Sequence, residues 1–168
     1  MNRANPIRER FLTLFHENKD RLYDFALRTL SSRDAAEDIT QQAFVRLFNT
    51  LSRNSSITDG RSWLFITTRN LCYNHIRDRQ KEVPLDHLND SEMTIPPFSN
   101  PEHMRLQKAL GQLDTPYREA LILKEYEGFS YYEIAKILNT TVPAVRTVLY
   151  KARLKLKSNY EKIKTMRL

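Results

Sequence analysis

The 168-residue chain carries 27 Lys and Arg against 20 Asp and Glu, a net charge of +7, with 40% hydrophobic residues, three glycines and one cysteine. The length fits one ordinary domain or two small ones, the composition excludes a disordered chain, and the lone cysteine excludes an internal disulfide, in keeping with a reducing compartment. The basic excess points to a polyanionic partner, nucleic acid before an acidic membrane surface; no apolar run is long enough to span a bilayer, and "MNRANPIRER" lacks the apolar core of a signal peptide, so a cytoplasmic chain with no membrane insertion is expected.

The first predicted helix, "FLTLFHENKDRLYDFALRTL", places Phe11, Phe15, Leu22, Phe25, Ala26 and Leu30 at helical spacing. Ser31 and Asp34 form a plausible capping box for the second. In "SSRDAAEDITQQAFVRLFNTLSR" the inward stripe is Ala36, Ile39, Ala43 and Leu47, with Phe44, Phe48 and Leu51 beside it. Asp34, Glu37, Asp38, Gln41 and Arg46 occupy the opposite face, which by itself reads as an ordinary solvated surface.

After the polar loop "NSSITDGRS" comes a third helix, "WLFITTRNLCYNHIRDRQK". At about 100° per residue, Leu64, Phe65, Thr68, Leu71, Cys72, His75 and Ile76 fall on one side. Trp63, Thr67, Asn70, Asn74, Arg77 and Lys81 fall on the other. A flat ring for stacking, amides for base edges and cations for phosphates suit single-stranded nucleic acid. Trp63 serves equally well as a core residue packed under the loop. Cys72 with His75 reads as a buried thiol beside a core histidine, because no other His or Cys stands near to complete a metal set.

Glu82 to Met104 contains no Lys or Arg but holds Glu82, Asp86, Asp90, Glu92 and Glu102, with Pro84, Pro96, Pro97 and Pro101. This stretch reads as an acidic linker. The expected organisation is therefore all-α, with a helical domain over 1–81, a flexible linker over 82–103 and a smaller helical domain over 104–168.

In the second domain, "MRLQKALGQL" and "DTPYREALILKEYEG" each read as one helix, the latter capped by Asp114 or Thr115, with Pro116 in its first turn and Gly128 at its stop. "SYYEIAKILNTTVPAVRTVLYK" then reads as a helix-turn-helix. Ser130 and Glu133 make a capping box, Asn139 suits a left-handed stop, Thr140 and Thr141 are caps, and Pro143 marks a first turn. Val142, Val145, Leu149, Ala152 and Leu156 form the inward stripe of the last helix. Ala144, Thr147, Lys151 and Leu154 point away, flanked by Arg146, Val148 and Tyr150, with Arg153 in the basic tail that follows. Short polar residues flanked by cations suit a DNA major groove, against the plainer reading of a three-helix bundle with a basic exterior.

"DAAEDITQQAFVRLF", "WLFITTRNLCYNHIR" and "LDTPYREALILKEYEGFSYYEIAKILNTTVPAVRTVLYKARLKL" resemble, in that order, regions 2.2, 2.3–2.4 and 4 of the sigma-70 family of bacterial RNA polymerase sigma factors, extracytoplasmic-function group. The resemblance implies core RNA polymerase (β′ clamp and β flap) and promoter DNA as partners, an anti-sigma factor as inhibitor, no cofactor and no enzymatic activity. It implies core docking by the face of Asp34, Glu37, Asp38, Gln41 and Gln42. It gives the melted −10 strand to loop 54–61 with Arg61, Trp63, Asn70, Asn74, Arg77 and Lys81, and the −35 duplex to Ala144, Arg146, Thr147, Val148, Lys151 and Arg153. The linker would lie in the RNA path of the core enzyme. Gln42 stands where the family usually has Glu and Asn74 where Asp is common; Ala144 and Val148 replace a frequent Thr and a frequent Arg or Lys. Val148 either removes a phosphate contact or favours a thymine methyl. A stand-alone helix-turn-helix regulator explains 104–168 but gives the Trp63–Asn70–Asn74 face no use. A sigma mimic that titrates an anti-sigma factor dispenses with base-reading residues, which the basic residues Arg77, Lys81 and Lys151 argue against.

Overall fold

The computed structural model describes residues 4–53, 56–82 and 100–166. The predicted linker between 83 and 99, and positions 54 and 55 of the predicted loop, lie outside the described residues. Within the described residues the regular elements are helices, and the chain divides into two compact units, Met1–Ser91 and Glu92–Leu168.

In the first unit α1 (Ala4–Leu30), α2 (Arg33–Ser52) and α3 (Gly60–Glu82) pack pairwise against one another. Leu22, Phe25 and Ala26 of α1, Ala36, Ile39, Ala43 and Leu47 of α2, and Leu64, Phe65, Leu71 and Cys72 of α3 are buried, as the helical spacing predicts. Phe25 meets Phe65 edge to face at 5.4 Å. The cap of α2 falls one residue later than expected. Ser31 takes a left-handed conformation (φ 52°) and its N–H closes α1 on the Leu27 carbonyl, so Ser32 becomes the residue whose side chain accepts from Ala35 N.

The loop before α3 is anchored rather than merely polar. Ile57 is buried, Arg10 of α1 donates to its carbonyl, and Asp59 Oδ1 accepts from Ser62 N at 3.0 Å to start the helix. Gly60 lies so close to α1 that a Cβ there would sit 2.7 Å from the Leu14 methyls.

The second unit comprises α4 (Pro101–Gly111), α5 (Thr115–Leu121), a π-helical turn (Ile122–Tyr126), α6 (Tyr131–Ile137) and α7 (Val142–Thr165). α4 starts three residues before its predicted beginning, because Asn100 caps Glu102 N and Pro101 occupies the first turn. The single helix expected over Asp114–Gly128 is instead α5 followed by the π turn, in which Glu127 N donates to Ile122 O at 3.0 Å. Gly128 (φ 69°) then closes it, with Phe129 N reaching Leu123 O. The helix-turn-helix chemistry is as expected. Both halves of the Ser130–Glu133 capping box are formed, Asn139 is left-handed (φ 51°), and Thr141 caps Ala144 N with Pro143 in the first turn. Thr140 contributes its backbone instead, donating to Ala135 O at 2.8 Å. Val145, Leu149 and Ala152 are fully buried, while Val142 and Leu156 at the ends of that stripe are half-buried.

Candidate nucleic-acid interfaces

On α2, Asp34, Glu37, Asp38, Gln41 and Gln42 are all exposed, and Gln42 donates to Asp38 Oδ2 at 2.7 Å, one turn back. The hydrogen bond holds an amide and a carboxylate together on one outward stripe. That stripe continues into apolar residues the periodicity did not single out: Val45, one turn beyond Gln41, is 59% exposed. Phe48, expected beside the inward stripe, is also exposed, with its ring edge-on to Phe11 at 5.5 Å.

On α3, Asn70, Asn74, Arg77 and Lys81 share one exposed stripe. Asp78 sits beside the two cations, 3.6 Å from Arg77 Nε and 3.9 Å from Lys81 Nζ. The first half of the predicted face does not join them as drawn. Thr67 is only 8% exposed, and Trp63 and Arg61 are half-buried, with Arg61 over the Phe65 ring. Ser62, Leu64, Phe65 and Thr68 are buried around them, so this part of α3 is enclosed by α1 and α2 and only the later turns have an open side.

On α7, Arg146, Thr147, Lys151 and Arg153 are exposed, whereas Ala144 and Val148 are half-buried. Thr147 donates to Pro143 O at 3.1 Å. Tyr150, on the flank of the outward face, is 65% exposed. Two cations of α7 are tied to carboxylates elsewhere in the unit. Arg153 Nη2 lies 2.7 Å from Glu125 Oε1 of the π turn, and Lys155 Nζ lies 2.9 Å from Asp114 Oδ2, over the Tyr117 ring. The hydrogen bond to Glu125, and next that to Tyr131, raises the pKa of Arg153. The bond to Asp114 raises that of Lys155. Arg118 is lowered by burial, which Asp114 opposes, and it donates to Leu113 O at 2.9 Å. Tyr131, first residue of α6, has Lys124 5.0 Å and Arg146 5.9 Å from its ring. Tyr131 and Glu125 thus join Arg146 and Arg153 in one cluster drawn from three elements. Sequence gave no sign of Glu125, because the π turn that carries it is invisible to helical periodicity.

Region 2 of sigma-70 matches residues 14–82 as a family pattern, and "Sigma-70, region 4" matches residues 103–156, in the order and spacing of the two units. The chain belongs to the sigma-70 family. Similar sigma factors include ECF RNA polymerase sigma factor SigE of Mycolicibacterium smegmatis, 30% identical over 86% of this chain and 59% of that protein. RNA polymerase sigma factor YlaC of Bacillus subtilis is 27% identical over 89% of this chain and 91% of its own. The fold is that of RpoE, solved in complex with the anti-sigma factor NepR from Bartonella quintana (TM-score 0.74, 22% identity, 94% of this chain and 98% of that one). It is likewise that of CnrH, solved in complex with the cytosolic domain of CnrY (TM-score 0.67, 23% identity, 92% and 90%). Region 2 therefore supplies the α2 and α3 stripes of this sigma factor, and region 4 supplies the helix-turn-helix with most of α7. Among the described residues no helix is long and apolar enough to cross a membrane, and no group of three metal-ligating side chains is assembled.

Proposed function

We propose that this chain is a promoter-specificity subunit of the extracytoplasmic-function type, joining core RNA polymerase and directing initiation at the promoters it selects. The ordered pair of matches, region 2 before region 4, carries the reading. It favours this role over a stand-alone operator binder, which has no use for region 2. In this proposal residues 1–81 dock on the β′ clamp through Asp34, Glu37, Asp38, Gln41 and Gln42 and hold the melted −10 strand through Asn70, Asn74, Arg77 and Lys81, with Trp63 and Arg61 at the edge of that face. Residues 82–103 are the tether in the RNA path. Residues 104–168 engage the β flap and place Arg146, Thr147, Lys151 and Arg153 on the −35 duplex, with Ala144 and Val148 beside them.

The subunit works by binding and performs no covalent chemistry. Captured, unstacked bases offset an opening cost of roughly a few kcal/mol, and duplex contacts fix the register from which opening starts. It acts in the cytoplasm without a cofactor, and an anti-sigma protein holds it inactive by covering the same faces. Run-off transcription with purified core enzyme on genomic fragments tests this reading. Discrete transcripts that depend on the chain are expected. A chain that forms no complex with core and leaves all promoters closed would be a small basic duplex binder instead.

A further inference from the structure

Arg153 lies seven residues, two helical turns, beyond Arg146, so the two share one flank of α7. Both are exposed, yet Arg153 is already engaged: its Nη2 is 2.7 Å from Glu125 Oε1, with the two side chains 47% and 52% exposed. Glu125 reaches this position from the π turn. That turn adds a residue to the helix, closing on the Glu127 N to Ile122 O bond, and so resets the direction of the side chains it carries. Tyr131 takes part from α6, with Arg146 5.9 Å from its ring. A carboxylate therefore stands among the cations of a face otherwise suited to phosphates. An exposed ion pair of this kind is weak and screened by salt, so a phosphate can displace the carboxylate, but only in competition with it.

We infer that Glu125 is an affinity-setting residue of the −35 face: it competes with a backbone phosphate for Arg153, so that region 4 grips duplex DNA with one cation fewer than its surface displays. The inference rests on the −35 reading of α7. Weakened phosphate contact lowers affinity for all sequences alike, which leaves base contacts a larger share of the discrimination.

The test measures binding of the full chain to a fluorescent random-sequence duplex of about 20 base pairs across about 50 to 200 mM salt, since phosphate contacts do not depend on sequence. Glu125→Gln is expected to bind more tightly and to steepen the log–log salt slope by about 0.9, an extra loss of about threefold over that range. Arg153→Gln in the otherwise unchanged chain should move the slope far less, and adding Glu125→Gln to Arg153→Gln should give no further gain. An equal gain from Glu125→Gln with and without Arg153 would reduce Glu125 to a general repulsive charge and overturn the inference. A fall in melting temperature with an unchanged slope would overturn it too, making the pair a structural brace. Lys151→Ala separates the two levels: it should weaken binding in every background. If wild type and Lys151→Ala bound the duplex equally or not at all, the −35 reading itself would fail.

Discussion

Along α3 the candidate DNA face is a single exposed stripe whose cations stand loosely beside Asp78, at 3.6 and 3.9 Å, whereas on α7 Arg153 and Lys155 are drawn to carboxylates of other elements at 2.7 and 2.9 Å. The difference follows from what each helix crosses. From Asn70 onward α3 keeps one side open to solvent, while α7 packs against α4, α5 and α6 and brings its flanks against Asp114, which precedes α5, and Glu125 of the π turn. Side chains on one helix can adjust to an irregular, unstacked strand. Side chains already paired with carboxylates of the same fold must exchange those partners before they meet another anion. The two candidate faces thus differ in how far their cations are engaged before any partner arrives.

The comparison breaks most decisively if the two units do not unfold separately. Phe65→Ala removes a fully buried ring stacked edge-on to Phe25 and should cost about 3–5 kcal/mol, abolishing the first thermal transition while the helix-turn-helix unit still melts near its own temperature. A single shared transition, moved as a whole, would show that the units are energetically one body.

Next in size, Trp63→Ala should weaken open-complex formation by about 1–3 kcal/mol if its ring stacks on a base, and should also lower the melting temperature because the side chain is half-buried. Asn70→Ala, at an exposed position, should impair opening without moving the melting temperature or core binding. Permanganate footprinting alongside a core-binding assay distinguishes the two, and equal loss of both activities would mean misfolding.

Gly128→Ala probes the turn that closes the π segment carrying Glu125. Nothing lies within 4 Å of the added Cβ, so the cost is that of the left-handed backbone alone (φ 69°), about 1–2 kcal/mol in chemical denaturation of the second unit.

The smallest effect concerns Asp24, whose carboxyl is raised above 3.8 by burial and by Asp20, with Arg28 opposing. Its charged form is disfavoured in the folded chain, so neutral pH carries a penalty that is relieved as pH falls through the raised folded value toward 3.8. Asp24→Asn should therefore stabilise region 2 slightly at neutral pH, within the about 0.5 kcal/mol usual for surface changes, and the advantage should vanish in acid melts.

Ser130, Glu133, Asn139, Thr141 and Pro143 could be read correctly because each acts on backbone groups within a few residues of itself. The α2 stripe and the later turns of α3 were equally legible, since a helix with one covered side sorts its residues by periodicity. Thr67 was misplaced because a helix enclosed on several sides has no polar face to mark, and the cap of α2 moved because Ser31 was taken by the end of α1.

The sequence by itself determined the helical class, most of the inward stripes, the caps of the helix-turn-helix and the family, all of which depend on residue type and local spacing. Only the tertiary structure decided which outward residues are engaged, because that depends on contacts such as Arg153 to Glu125, 28 residues apart, and Lys155 to Asp114, 41 apart. Coulomb and hydrogen-bond partners are chosen by distance in space, and the π turn at Ile122–Tyr126, which adds a residue to the helical path, carries the carboxylate that meets Arg153.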